Sequence, residues 1–83
     1  MIQFAGGTVC SLAEAQPNQL VRVERILYRT LRELLAGIGL HEGDQLLCRG
    51  SYRSRVILQA ETGRRVIVNQ EWARFIRVRT RDG

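Results

Sequence analysis

"LRELLAGIGLHEGD", Leu31 to Asp44, begins as a helix and ends as a turn, with Gly37, Gly39 and Gly43 crowded into its second half. Leu27, Leu31, Leu34, Leu35 and Ile38 recur at the three- and four-residue steps that line one side of a helix, while Arg29, Arg32 and Glu33 point away. Gly37 weakens the last turn. Gly39 supplies the left-handed backbone that closes a helix without a Cβ clash, and Leu40 folds back onto the last apolar positions. His41 to Asp44 then reverses the chain around Gly43.

On either side of this helix the period is two. Upstream, "SLAEAQPNQ" reads as a short turn and a loop broken at Pro17 and Asn18, and "LVRVERIL" alternates Val21 and Val23 with Arg22 and Glu24 as a half-buried strand. Downstream, "DQLLCRG", "SRVILQAE", "RRVIVNQ" and "FIRVR" give four more strands. Glu61-Thr62-Gly63 is short enough to join antiparallel neighbours, and Val56, Leu58, Val66, Val68, Ile76 and Val78 form the expected core face. Gln70 to Arg74 suits a single helical turn, with Trp72 read as core in a chain that has only five aromatic residues. The pattern predicts a mainly β fold: a small, bent barrel of about five antiparallel strands with one α-helix between the first and second.

Length and composition narrow the functional classes. Eighty-three residues make one domain, with its core over about residues 11–80, and 45% hydrophobic residues exclude a disordered tail. The charge of +5 comes from thirteen arginines and no lysine, spread from Arg22 to Arg81. That spread reads as a bias of the whole chain more than as a dedicated polyanion-binding tail. Cys10 and Cys48 match no metal or redox spacing and are expected as reduced thiols. The start, "MIQFAGGTVC", lacks the basic-then-apolar order of a leader, and the longest apolar run, "LLAGIGL", is too short to span a bilayer. The expected location is cytoplasmic, with no membrane insertion and any membrane contact made through a partner.

Three pieces of this chain together resemble the FeoA family. They are the entry "SLAEAQPNQLVRVERI", the helix and cap "LLAGIGLHEGD", and the ending "VIVNQEWARFIRV", which together run from about Ser11 to Val78. Leu35, Ile38, Gly39, Leu40 and Gly43 sit where such domains carry the leucines and glycines of the helix-to-strand turn. The chain departs from the pattern at Glu42, where a proline is common, at Asn18, where a glycine is usual, at Leu34, often basic, and in "RGSYRSR", which lacks a Gly-Asp-Pro. The resemblance implies an SH3-like barrel of bacterial ferrous iron transport, a setting of transition metal ion binding. Its implied partner is the cytosolic part of the membrane transporter FeoB. Related modules end iron- and manganese-responsive repressors, but this chain has no room for a DNA-binding helix-turn-helix.

No convergent acids, bases or nucleophiles point to an enzyme, so no catalytic residue is assigned. His41, Cys48 and Cys10 are the soft ligands present, and no metal site or cofactor is assigned to them. The loop around Tyr52, with Arg49, Arg53 and Arg55, offers an aromatic among cations and is the expected partner-binding segment. The rival reading is a nucleic-acid-binding small barrel, and exposed edge strands leave weak self-association open.

Overall fold

The computed structural model describes residues 7–82; Met1 to Gly6, on which the expectation about a leader falls, and Gly83 lie outside the described residues. Six strands form one antiparallel sheet: β1 (Thr8–Ser11), β2 (Gln19–Ile26), β3 (Gln45–Tyr52), β4 (Arg55–Gln59), β5 (Arg65–Asn69) and β6 (Ile76–Asp82). Helix α1 (Arg29–Gly37) follows β2, and the short α2 (Gln70–Ala73) follows β5. In hydrogen-bonded order the sheet runs β1-β6-β2-β3-β4-β5, so the last strand lies between the first two.

The mainly β class holds, while the expected five strands with a helix after the first are corrected to six with α1 after the second. The reason lies in β1. Its four residues "TVCS" leave Thr8 and Val9 exposed and sit on an edge beside β6 alone, so no alternation marks them as a strand. The sheet is open between β1 and β5. Its two edges meet instead through the connecting turns: α2 lies against a 3₁₀ turn at Leu12–Glu14, and Gln70 Nε2 donates to the Ala13 carbonyl at 3.3 Å.

The inward positions alternate as expected. Val56, Leu58, Val66, Val68, Ile76 and Val78 are all buried, joined by Val21, Val23, Leu46 and Cys48. A one-residue slip of any strand would expose this set, which pins the register. Two bulges bend the sheet, one between Val23 and Arg25 and one between Cys48 and Gly50. At the second, Gly50 has φ +110°, and an added Cβ would lie 3.2 Å from Pro17 Cγ, so the loop before β2 packs onto bare backbone.

Helix α1 ends as its glycines demand. The Leu40 amide donates to the Leu35 carbonyl at 2.9 Å and the Gly39 amide to Ala36 at 3.0 Å, while Gly39 has φ +85°. This is a Schellman closure, in which two orphan carbonyls gain donors and the residue after the glycine touches the last turn. Leu35 and Leu40 are both fully buried, each contributing roughly 2 kcal/mol of apolar burial. Arg64, from the β4–β5 connection, caps the same end by donating to the Ile38 and Gly39 carbonyls at 3.3 and 3.2 Å.

Candidate interaction surface

The segment expected to bind a partner is not a loop. Strands β3 and β4 run to Tyr52 and Arg55, which face each other, and only Arg53 and Ser54 turn between them. Their φ values of +52° and +63° are both positive, as a two-residue primed hairpin turn requires, although neither residue is glycine. The Gln70 amide holds this tip by donating to the Ser54 carbonyl at 2.8 Å. Tyr52 is 64% exposed, with the Arg53 guanidinium 5.4 Å above its ring. The structure thus brings Tyr52, Arg53 and Arg55 together at one hairpin tip.

Arg49 faces elsewhere. It lies at the β3 bulge and lines a cleft of ≈ 240 Å³ with Leu20, Leu47 and Gln59, on the outer side of β2, β3 and β4. Leu20, Leu47 and Gln59 are successive register partners, so the cleft is one cross-strand row with an arginine at its rim.

A second surface went unread in the sequence. Of the helix positions expected on the buried side, Leu31 and Leu35 are buried, but Leu27, Leu34 and Ile38 are more than a third exposed. Trp72, read as core, is 41% exposed, and the neighbouring Ala73 fills the core instead. In α2 the Asn69 side chain accepts the Glu71 amide at 2.8 Å, a cap that fixes which face of this single turn looks inward. Tyr28 and Phe75 stack edge to face with ring centroids 5.2 Å apart, and the Leu27 amide donates to the Phe75 carbonyl at 3.0 Å. Three of the five aromatic residues therefore sit exposed around the α2 end of the sheet. The missed signal was the ladder: Ile26 pairs with Ile76 inward, so Leu27 and Phe75, one position further along, must face out.

The polar turn residues have structural occupations. Asp44 Oδ2 accepts the His41 amide at 2.8 Å and lies 3.6 Å from its ring Nδ1. Glu42, at the position where a proline is common, accepts the Ile26 amide at 2.9 Å as the chain leaves β2 for α1. Asn18 has φ +71°, which explains why a glycine is usual there. Burial raises the Cys48 thiol above its usual range, and burial together with the Glu14 charge does the same to Cys10. Among the described residues no three His, Cys, Asp or Glu side chains converge as metal ligands, and no helix is long and apolar enough to cross a membrane.

The family model for the FeoA domain matches residues 10–80 of the chain. Among solved structures, an iron uptake regulatory protein (FeoA) is similar at 25% identity and a TM-score of 0.76, over 89% of this chain and 99% of that one. An FeoA-like protein from Clostridium acetobutylicum shares the fold at 19% identity and a TM-score of 0.71, covering 84% of each chain. The fold also recurs within a larger protein, IdeR of T. acidophilum, at 22% identity and a TM-score of 0.75, over 89% of this chain and 35% of that one. A search of curated protein sequences finds no match.

Proposed function

Because the chain belongs to the FeoA family, we propose that it is a non-enzymatic accessory of ferrous iron transport that binds the cytosolic part of a FeoB-type transporter. The observation that carries this reading is the family match across residues 10–80, which takes in every strand but the first two residues of β1 and the last two of β6. It is supported by the likeness over nearly full length to an iron uptake regulatory protein.

The contact is assigned to the β3–β4 tip. Tyr52 supplies an exposed aromatic anchor, and Arg53 and Arg55 supply charge toward an acidic partner surface. Arg49, on its separate cleft, contributes at the margin of the same contact. Such a module acts by differential binding: it shifts the transporter between conformations only so far as it holds one more tightly than the other.

The test is association of the full chain with the purified cytosolic part of the transporter, measured at low and high salt. Arg53→Glu with Arg55→Glu is expected to weaken association at least tenfold at low salt and less at high salt. An affinity unchanged by this pair, in a variant that still melts cooperatively, removes the tip from the contact. If wild-type protein shows no association with that cytosolic part, the accessory reading itself falls.

A further inference from the structure

The outward face of β2 and β6 is rich in arginine. Strand β6 turns Ile76, Val78 and Thr80 inward and Arg77, Arg79 and Arg81 outward. Opposite them on β2 the register places Arg25 against Arg77 and Arg22 against Arg79. Among the described side chains a single acid interrupts this face: Glu24, extruded by the β2 bulge, which binds Arg79 Nε at 2.7 Å and Arg22 at 3.1 Å. Arg25 and Arg77 are exposed and directly opposed. Like charges placed so destabilise a sheet, so their pairing does not stabilise the fold.

The stripe does not end at Arg25 and Arg77. Just past the ends of the same two strands come Leu27 and Phe75, joined by the 3.0 Å backbone bond, then Tyr28 stacked on Phe75. Trp72 lies one α2 turn away, its carbonyl accepting the Phe75 amide at 3.0 Å. All four are more than a third exposed. A continuous surface thus passes from five arginines into a half-exposed aromatic end.

We propose that this surface docks the protein peripherally on an anionic phospholipid bilayer, with the arginines over the headgroups and Trp72, Tyr28 and Phe75 at the interface. Aromatic side chains favour that boundary because one end of each is apolar and the other tolerates water, and juxtaposed arginines are drawn to the negative surface potential. A single-stranded nucleic acid fits less well. Base stacking needs aromatic rings interleaved with the cations along the groove, and here the rings are gathered at one end. The contact adsorbs without spanning, and it revises the expectation that membrane contact must come through a partner. It stands apart from the transporter reading, since either contact can be lost without the other.

Trp72 is the only tryptophan and reports directly on the contact. The full chain is mixed with vesicles of phosphatidylcholine alone or with about one-third phosphatidylglycerol, and both sedimentation and tryptophan emission are followed. Binding to the anionic vesicles with a blue-shifted Trp72, little binding to the neutral ones, and loss of binding at high salt are expected. Arg25→Gln with Arg77→Gln is expected to lower partitioning roughly 30-fold, from about fivefold for each arginine near such a surface. Arg25→Glu with Arg77→Glu is the second variant, expected to abolish it. The proposal is overturned if wild-type protein ignores anionic vesicles, if both variants bind as well as wild type, or if Trp72 emission stays fixed while protein sediments. It is also overturned if a single-stranded oligonucleotide is bound through these arginines at a salt concentration where vesicles are not.

Discussion

Replacing Gly39 with alanine separates two costs that one glycine avoids. Its φ of +85° charges any residue with a Cβ about 1–2 kcal/mol. A Cβ there would also run into the Arg64 guanidinium, so Arg64 must release the Ile38 and Gly39 carbonyls at the end of α1. Those two bonds are exposed and long, so their loss adds only about 0.5–1 kcal/mol. Gly43 provides the control, because it has φ +93° but nothing within 4 Å of an added Cβ. Gly39→Ala should therefore cost about 2 kcal/mol, lowering the melting temperature by roughly 8–16 °C in a domain of this size, and Gly43→Ala about 1 kcal/mol less. In an Arg64→Ala background the two glycine substitutions should become equal within about 0.5 kcal/mol. Urea unfolding of the three single variants, the two double variants and the wild type measures all of this. Equal costs for Gly39→Ala and Gly43→Ala with Arg64 present would refute the steric argument, whatever their absolute size.

Three further outcomes are expected. Exchanging Arg53-Ser54 for Asn-Gly should stabilise the domain by about 1 kcal/mol in thermal unfolding, because both positions hold positive φ without glycine; it should also weaken transporter binding through the loss of Arg53, so the tip is revealed as strained where it is proposed to act. Alkylation at pH 8 should modify the part-exposed Cys10 before the buried Cys48, whose modification should track unfolding, as read by mass spectrometry of the two peptides over time. Glu24 is held below the ordinary glutamate value of 4.5 first by its bond to Arg79 and then by that to Arg22. Its ionised form thus favours the folded state, a contribution present above about pH 4.5 and lost as pH falls through the lowered value, so Glu24→Gln should flatten the acid limb of the stability profile and leave the neutral-to-alkaline limb unchanged in shape.

The sequence was most legible where one physical demand acted on one residue type. Gly39 must be glycine for the chain to close α1 as it does, and the alternation of Val56, Leu58, Val66 and Val68 admits one register. It was least legible where demand was shared. Strand β1 borrows its whole definition from β6, so nothing within Thr8–Ser11 announces it. The five-position apolar side read for the helix was broader than the core could accept: the sheet takes Leu31 and Leu35 and leaves Leu34 and Ile38 outside. The thirteen arginines looked scattered because β-strand pairing, not chain order, gathers five of them on one face.

Strand β6 lies between β1 and β2, yet it is made after both and after every other element. During synthesis β3, β4 and β5 can pair in order as each emerges, since they are consecutive neighbours. Strand β1 has no neighbour at all until β6 appears, and β2 has only β3. The apolar faces of Val21, Val23 and Ile26 therefore wait longest for their cover, and the nascent domain passes through a stage in which its oldest strands are its most adhesive. Closing the sheet then requires pairings some seventy residues apart, such as Thr8 with Thr80, and contacts so distant along a chain are the kind that form slowly.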